Sequence, residues 1–310
     1  MMADDDEIFV YMGGDQRVPD GVRRARIHKS VKIVRKRAFI CRYELISVEF
    51  HDGVEIIEEH AFTGCWLLKG PIKLLGAKII KEKAFFNCGL TEVEFGNKLE
   101  TIEEEAFNIS LLEKIRMPSV RTIGRGAFAC CFKLSDVECG EGLRTLQLSA
   151  FYDCREMKRI ALPLKDNMIG NAVFDFCQKL TTIDLVGGIH QTVASLHFES
   201  WRNEMMDEIN RINQTLPTIT LGKTSAIQQW MRAVIDRLDR YKAEHQQMLK
   251  EATTLLELAL WKANLDDNEG DEREGVRTTR GRWKRARKEI CVTSGADIVI
   301  KNVLPFLKLG

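Results

Sequence analysis

Between residues 22 and 190 of this 310-residue chain, apolar positions return on a fixed period. Ala-Phe pairs stand at Ala38-Phe39, Ala61-Phe62, Ala84-Phe85, Ala106-Phe107, Ala127-Phe128 and Ala150-Phe151, and Val173-Phe174 continues the series. The phenylalanines lie 23, 23, 22, 21, 23 and 23 residues apart. Five residues before each stands an aliphatic: Val34, Ile57, Ile80, Ile102, Ile123, Leu146 and Ile169. Three residues after most of them stands a cysteine: Cys65, Cys88, Cys131, Cys154 and Cys177. Self-similarity at this period is the signature of a stacked-repeat solenoid.

A second signal, Leu-x-x-Ile-x-Phe, follows each phenylalanine. It reads Leu45-x-x-Val48-x-Phe50, Leu134-x-x-Val137-x-Cys139, Met157-x-x-Ile160-x-Leu162 and Leu180-x-x-Ile183-x-Leu185. Leu90-x-x-Val93-x-Phe95 and Leu112-x-x-Ile115-x-Met117 arrive one residue early, and the copy near Leu68–Leu74 is irregular around Pro71. A half copy, Val22-x-x-Ala25-x-Ile27, opens the array. The alternating part predicts a short strand. The Ile-x-x-x-Ala-Phe part, rich in Glu and Lys, predicts a turn of helix or 3₁₀-helix on the opposite wall. One strand and one turn per repeat gives a coil with a parallel sheet along one side. Within residues 1–21, the run Ile8–Met12 predicts a strand that caps the open first repeat.

Past residue 190 the pattern becomes helical. Phe198, Trp201, Met205, Ile209, Ile212 and Leu216 recur three or four apart and predict an amphipathic helix over 191–217, covering the end of the array. A longer helix is expected over about 225–264, with Ser225-x-x-Gln228 as its capping box. Its seam, Ile227, Met231, Val234, Leu238, Tyr241, His245, Met248, Ala252, Leu255 and Ala259, alternates four and three without a break, as a coiled coil does. The helical region is drawn as 191–265. Residues 266–288 hold an acidic block and then a basic one with few apolar residues, and read as a disordered linker. Residues 289–310 read as an apolar helix that packs back on the helical region.

The repeat residues resemble the BspA-type leucine-rich repeat, I-x-x-x-A-F-x-x-C-x-x-L-x-x-I-x-[FIL]. The chain as a whole is similar to a set of such proteins in diatoms that share a helical C-terminal extension. The resemblance implies an α/β leucine-rich-repeat solenoid of about seven 23-residue repeats, followed by an α-helical, coiled-coil-like region. It implies a recognition scaffold and no characterised activity. Three departures from the pattern are Ser110 at one cysteine position, Cys41 displaced by one residue, and the irregular third strand.

Charge and composition narrow the function classes. The formal net charge is +1, so no global field steers the molecule to a polyanion. The acidic start, Met1 to Glu7, lacks the apolar core of a secretory signal, and no run reaches a membrane-spanning length. Location in cytoplasm or nucleus is expected, with the nine cysteines reduced. One repeat between successive cysteines does not converge on a metal, so their column reads as core. No histidine spacing or acid–base pair marks a catalytic site, and neither cofactor nor small-molecule substrate is expected. Gly222-Lys223-Thr224 echoes a phosphate-binding loop, but Pro217 stands where its first glycine is needed.

The candidate partner-binding residues are the outward positions of the strands. Neighbouring rungs carry Glu92 and Glu94, Lys114 and Arg116, Asp136 and Glu138, then Arg159 and Asp184, in alternating sign. This reads either as a self-neutralising ladder or as a surface with a specific protein partner. The 227–259 seam is expected to support either intramolecular packing, as a hairpin with 198–216, or self-association. Nucleic acid is disfavoured as a partner, although a nuclear or nucleic-acid role for the basic segment 277–288 is the alternative reading.

Overall fold

The computed structural model describes residues 8–216 and 221–270, with side chains placed through 262. Strand β1 (Ile8–Tyr11) comes first, and each of the next six rungs contributes a strand to each of two walls. The pairs are β2 (Arg24–Ile27) with β3 (Ile33–Val34), β4 (Ser47–Glu49) with β5 (Ile56–Ile57), and β6 (Ile72–Leu74) with β7 (Ile79–Ile80). They continue as β8 (Val93–Phe95) with β9 (Thr101–Ile102), β10 (Lys114–Met117) with β11 (Thr122–Ile123), and β12 (Asp136–Cys139) with β13 (Thr145–Leu146). Strands β14 (Arg159–Pro163) and β15 (Thr182–Val186) complete the first wall. All the pairings are parallel and in step with the repeat, as in Asp136↔Arg159 and Ile56↔Ile79.

The second wall corrects the expected helical turn. The aliphatic five residues before each phenylalanine from Phe39 to Phe151 ends a two-residue strand, and these strands form one six-stranded sheet, β13-β11-β9-β7-β5-β3, which Ile169 joins by a single bridge to Leu146. The Ala-Phe segment then turns without becoming a helix. Two residues before each phenylalanine the backbone is left-handed, with φ between 51° and 58° from Arg37 to Ala172. Two residues after, at Cys41, Gly64, Asn87, Ile109, Cys130, Asp153 and Phe176, it is left-handed again. A left-handed L-residue costs about 1–2 kcal/mol and cannot continue a helix. Here it aims the backbone at the next rung. Arg37, Phe39 and Cys41 donate their N–H groups to the carbonyls of Glu59, Ala61 and Thr63, and later rungs repeat the set.

The core is the phenylalanine column. Phe39, Phe62, Phe85, Phe107, Phe128, Phe151 and Phe174 are fully buried. Consecutive rings from Phe39 to Phe174 lie 4.6–6.1 Å apart and within 17° of parallel. Each ring contributes about 1.5–3 kcal/mol through burial. The cysteine column is more than apolar filling. Cys65, Cys88, Cys131, Cys154 and Cys177 each donate S–H to the carbonyl of the phenylalanine one rung back, at 2.9–3.3 Å.

The second wall is also a charge ladder. Rungs led by Lys32, Glu55, Lys78, Glu100 and Arg121 alternate between mainly basic and mainly acidic. Ion pairs join neighbouring rungs: Arg35–Glu58, Lys78–Glu55, Lys81–Glu59, Lys83–Glu105 and Arg125–Glu104.

Three helices follow: α1 (Ile189–Ala194), α2 (Glu199–Thr215) and α3 (Lys223–Gly270). The single helix expected over 191–217 is therefore broken. Ser195 closes α1, and Phe198 is extended at φ −93° and ψ 132°. Arg202 Nη1 donates to the Leu196 carbonyl at the break. Met205, Ile209 and Ile212 form the buried face of α2, and Trp230 of α3 donates to the Glu208 carbonyl. The capping box is not made, because α3 begins at Lys223 and places Ser225 inside the helix, exposed. The helix also runs to Gly270, into the segment read as a linker. Residues 271–310, including the basic run 277–288 and the expected last helix, lie outside the described residues.

Helices α2 and α3 close the last rung through side chains. Asn213 of α2 accepts the Ile183 N–H at 2.7 Å and donates back to the Ile183 carbonyl. Lys223 is 1% exposed and donates to the carbonyls of Cys177, Gln178 and Leu180 at 2.7–2.9 Å. Thr224 accepts the Phe174 N–H and donates to Asp175, while Gln228 donates to the Ile169 and Gly170 carbonyls. The Gly-Lys-Thr triplet is thus an end plug.

Candidate functional site

The first wall is not one continuous sheet. It divides into β1-β2-β4, β6-β8 and β10-β12-β14-β15. The division between β8 and β10 falls where the phenylalanine spacings shorten to 22 and 21 and two corners are a residue short. One backbone bond still crosses it, Glu113 N–H to Thr91 carbonyl at 3.2 Å. Over this opening lies a groove of about 590 Å³. Its apolar floor is Val93, Phe95, Met117, Pro118 and Cys139. Its rim is Glu92, Glu94, Glu113, Lys114, Arg116 and Glu138. At its far end the rungs are in close contact: a Cβ on Gly140 would lie 1.8 Å from the Pro118 carbonyl oxygen.

The charge pattern is paired on both sides of the opening. Arg26 meets Glu49 at 2.5 Å, Lys73 meets Glu94 at 3.3 Å, and Arg116 meets Glu138 at 2.7 Å. Arg159 stands between two carboxylates, 2.9 Å from Asp136 and 2.6 Å from Asp184. The hydrogen bond from Arg116 holds the Glu138 carboxyl below the usual carboxylate range. Asp136, then burial opposed by Asp184, shape the net upward shift of Arg159.

Across the opening the ladder stops. Glu92 and Lys114 are neighbours in the pattern, yet neither has an ion pair among the described residues, and neither has Glu113. Of the eight sequence-predicted residues, the groove brings together Glu92, Glu94, Lys114, Arg116 and Glu138. Asp136, Arg159 and Asp184 lie outside it, the two carboxylates sharing the one guanidinium. Sequence reasoning missed Glu113 and the floor. The signal for both was the short spacing, which marked where the wall opens.

The thiols offer no reactive chemistry at this site. Burial pushes Cys139 up to about 12 and Cys131 up to about 11, so both stay protonated at neutral pH. No group of three or more His, Cys, Asp or Glu side chains among the described residues has the arrangement of a metal site. No helix among the described residues is long and apolar enough to cross a membrane.

Comparison with protein-family models agrees with this architecture. The BspA type leucine rich repeat region model matches residues 21–74 and 78–203 in six copies. A comparison with curated proteins finds no match. Among solved structures, a leucine-rich repeat protein from Bacteroides ovatus is 20% identical, with 58% of this chain and 69% of that one covered and a TM-score of 0.39. The pneumococcal vaccine antigen PcpA is 26% identical over 45% of this chain and 37% of its own, with a TM-score of 0.39. A leucine-rich repeat protein from Treponema (T. pallidum) is 21% identical over 62% and 84%, with a TM-score of 0.37. With its repeats matched over more than half its length, the chain belongs to the BspA-type leucine-rich repeat family.

Proposed function

We propose that this protein is a non-enzymatic scaffold that binds a protein partner on the first wall of its array, at the groove spanning β8 to β12. Leucine-rich-repeat proteins generally work by binding other proteins or surfaces. The observation that carries the reading is the interrupted ladder. Over most of the closed wall the charges are engaged in pairs, as Arg26–Glu49, Arg116–Glu138 and Arg159 with Asp136 and Asp184 are, and exposed pairs of that kind attract little else. At the groove, Glu92, Glu113 and Lys114 remain available beside an apolar floor.

The test is affinity capture on the full-length chain, comparing wild type with a Glu92→Lys, Lys114→Glu double variant. Loss of a specific partner, with the melting temperature unchanged, supports the reading. Retention of the same partner set by the double variant overturns it.

The distal part of α3 is a second surface. Leu255, Leu258, Leu260 and Trp261 are 54–67% exposed. The 227–259 seam is buried within the chain from Ile227 to Leu238 and exposed at Leu255, and the reading its exposed part supports is self-association. Sedimentation that gives a dimer, reduced to monomer by Leu255→Glu, supports this; a monomeric wild type rejects it.

A further inference from the structure

The groove's charge balance bears on what it binds, an inference that rests on the first-wall reading above. Four carboxylates stand on its rim, Glu92, Glu94, Glu113 and Glu138, against the two cations Lys114 and Arg116. Arg116 is engaged by Glu138, and Glu94 by Lys73 from the neighbouring rung. What remains without an ion pair is two anions, Glu92 and Glu113, and one cation, Lys114. A nucleic acid or an acidic segment would meet net repulsion here. A basic side chain finds two unpaired carboxylates.

The floor sets the second requirement. Val93, Phe95 and Met117 end in the buried layer, each less than a tenth exposed, and Pro118 is exposed at the margin. The groove is lined by residues of three neighbouring parallel strands, β8, β10 and β12, and is a cleft rather than a closed cavity, so it suits a segment of chain rather than an enclosed small molecule. In an extended chain successive side chains alternate in direction. Apolar residues can then lie on the floor while long basic side chains reach the rim, their stems on apolar surface and their charges at the carboxylates.

We infer that the groove over β8, β10 and β12 takes an extended peptide segment of a partner protein in which basic and apolar residues alternate. Glu92 and Glu113 receive the basic side chains, and the apolar margin at Phe95 and Pro118 receives the apolar ones. Lys114 disfavours a segment that is basic throughout and favours one with an acidic residue or a backbone carbonyl at that point.

The test uses fluorescence anisotropy on the full-length chain with three capped, labelled peptides: Arg-Leu-Arg-Leu-Arg, Glu-Leu-Glu-Leu-Glu and Ser-Leu-Ser-Leu-Ser. The arginine peptide is expected to bind about tenfold or more tighter than the other two, a difference of about 1.4 kcal/mol or more. The pair Glu92→Gln and Glu113→Gln is expected to remove that preference. The same charge change elsewhere, Glu44→Gln with Glu100→Gln, is expected to leave it intact. Equal binding of the glutamate peptide, or equal loss in both double variants, overturns the inference. If the arginine peptide does not bind while a captured partner still depends on Glu92 and Lys114, the partner chemistry is wrong and the binding surface stands.

Discussion

The two ends of the array leave opposite groups unpaired, and the chain meets them with different devices. In the turn ladder each rung donates N–H to the carbonyl of the next. In that ladder the first rung therefore has spare carbonyls and the last has spare N–H groups; past the cysteine the direction reverses, as in Gly89 N–H to the Cys65 carbonyl, so the last rung has spare carbonyls there. At the N-terminal end the chain adds backbone. Strand β1 pairs with β2, the Val18 N–H reaches the Ala38 carbonyl, and Tyr11 extends the phenylalanine column, 5.2 Å from Phe39. At the C-terminal end it uses side chains, with Thr224 taking the Phe174 N–H and Lys223 holding three carbonyls. A strand cap prolongs the repeat's own geometry. A side-chain cap concentrates the closure in a few atoms, so it is the easier end to break.

The largest effect belongs to neither end and sets the scale for both. Burial raises Cys88, Cys131, Cys139 and Cys154 above the ordinary thiol value of 9.0. The folded chain therefore keeps protons that the unfolded chain releases. Their stabilisation is complete below about pH 9 and is lost as pH rises toward 11–12. Each such thiol costs about 1.4 kcal/mol per pH unit in that window. Denaturant unfolding followed from pH 8 upward is expected to show a steep fall; a flat profile to pH 11 would contradict the buried column.

Next in size is Lys223→Met, which keeps the stem and leaves three carbonyls without their donor. The expected loss is about 3 kcal/mol, read by denaturant unfolding, with hydrogen exchange rising first in the last rung. Thr224→Val removes one acceptor and one donor and is expected to cost about 1–3 kcal/mol. Tyr11→Phe is the smallest. It keeps the ring and removes the hydroxyl that accepts the Arg35 N–H, at about 1 kcal/mol. A larger loss for Tyr11→Phe than for Lys223→Met would reverse the ranking of the two ends.

Much of the array was legible because its period repeats a physical requirement. Phe107 must meet Phe85 and Phe128, so its position recurs. The two-residue strands of the second wall were not legible: a Thr101-Ile102 pair is too short to show alternation, and its strand character comes from the neighbouring rungs. The left-handed residues were hidden because Arg, His, Lys, Glu, Ser and Ala all occupy one such position. No composition rule points there; inter-rung hydrogen bonding imposes it. Lys223 was opaque for a similar reason, since its three acceptors lie 43–46 residues away and meet only in the folded chain. For the candidate site, the sign alternation of Glu92, Glu94, Lys114 and Arg116 was visible. The opening beside Glu92 and Lys114 was visible only as the two phenylalanine spacings that shorten to 22 and 21.

The alternating charges of the second wall give the array a parity. Odd rungs are mainly basic and even rungs mainly acidic through the first five, so a rung is complementary to its neighbours and repels a rung of its own kind. Deleting or duplicating a single repeat there would bring like charges together, whereas moving two repeats at once would restore every pairing. During folding the same rule penalises a strand that docks one rung out of place, although every rung offers it the same phenylalanine to stack on. The core is indifferent to which repeat comes next, and the surface supplies the counting.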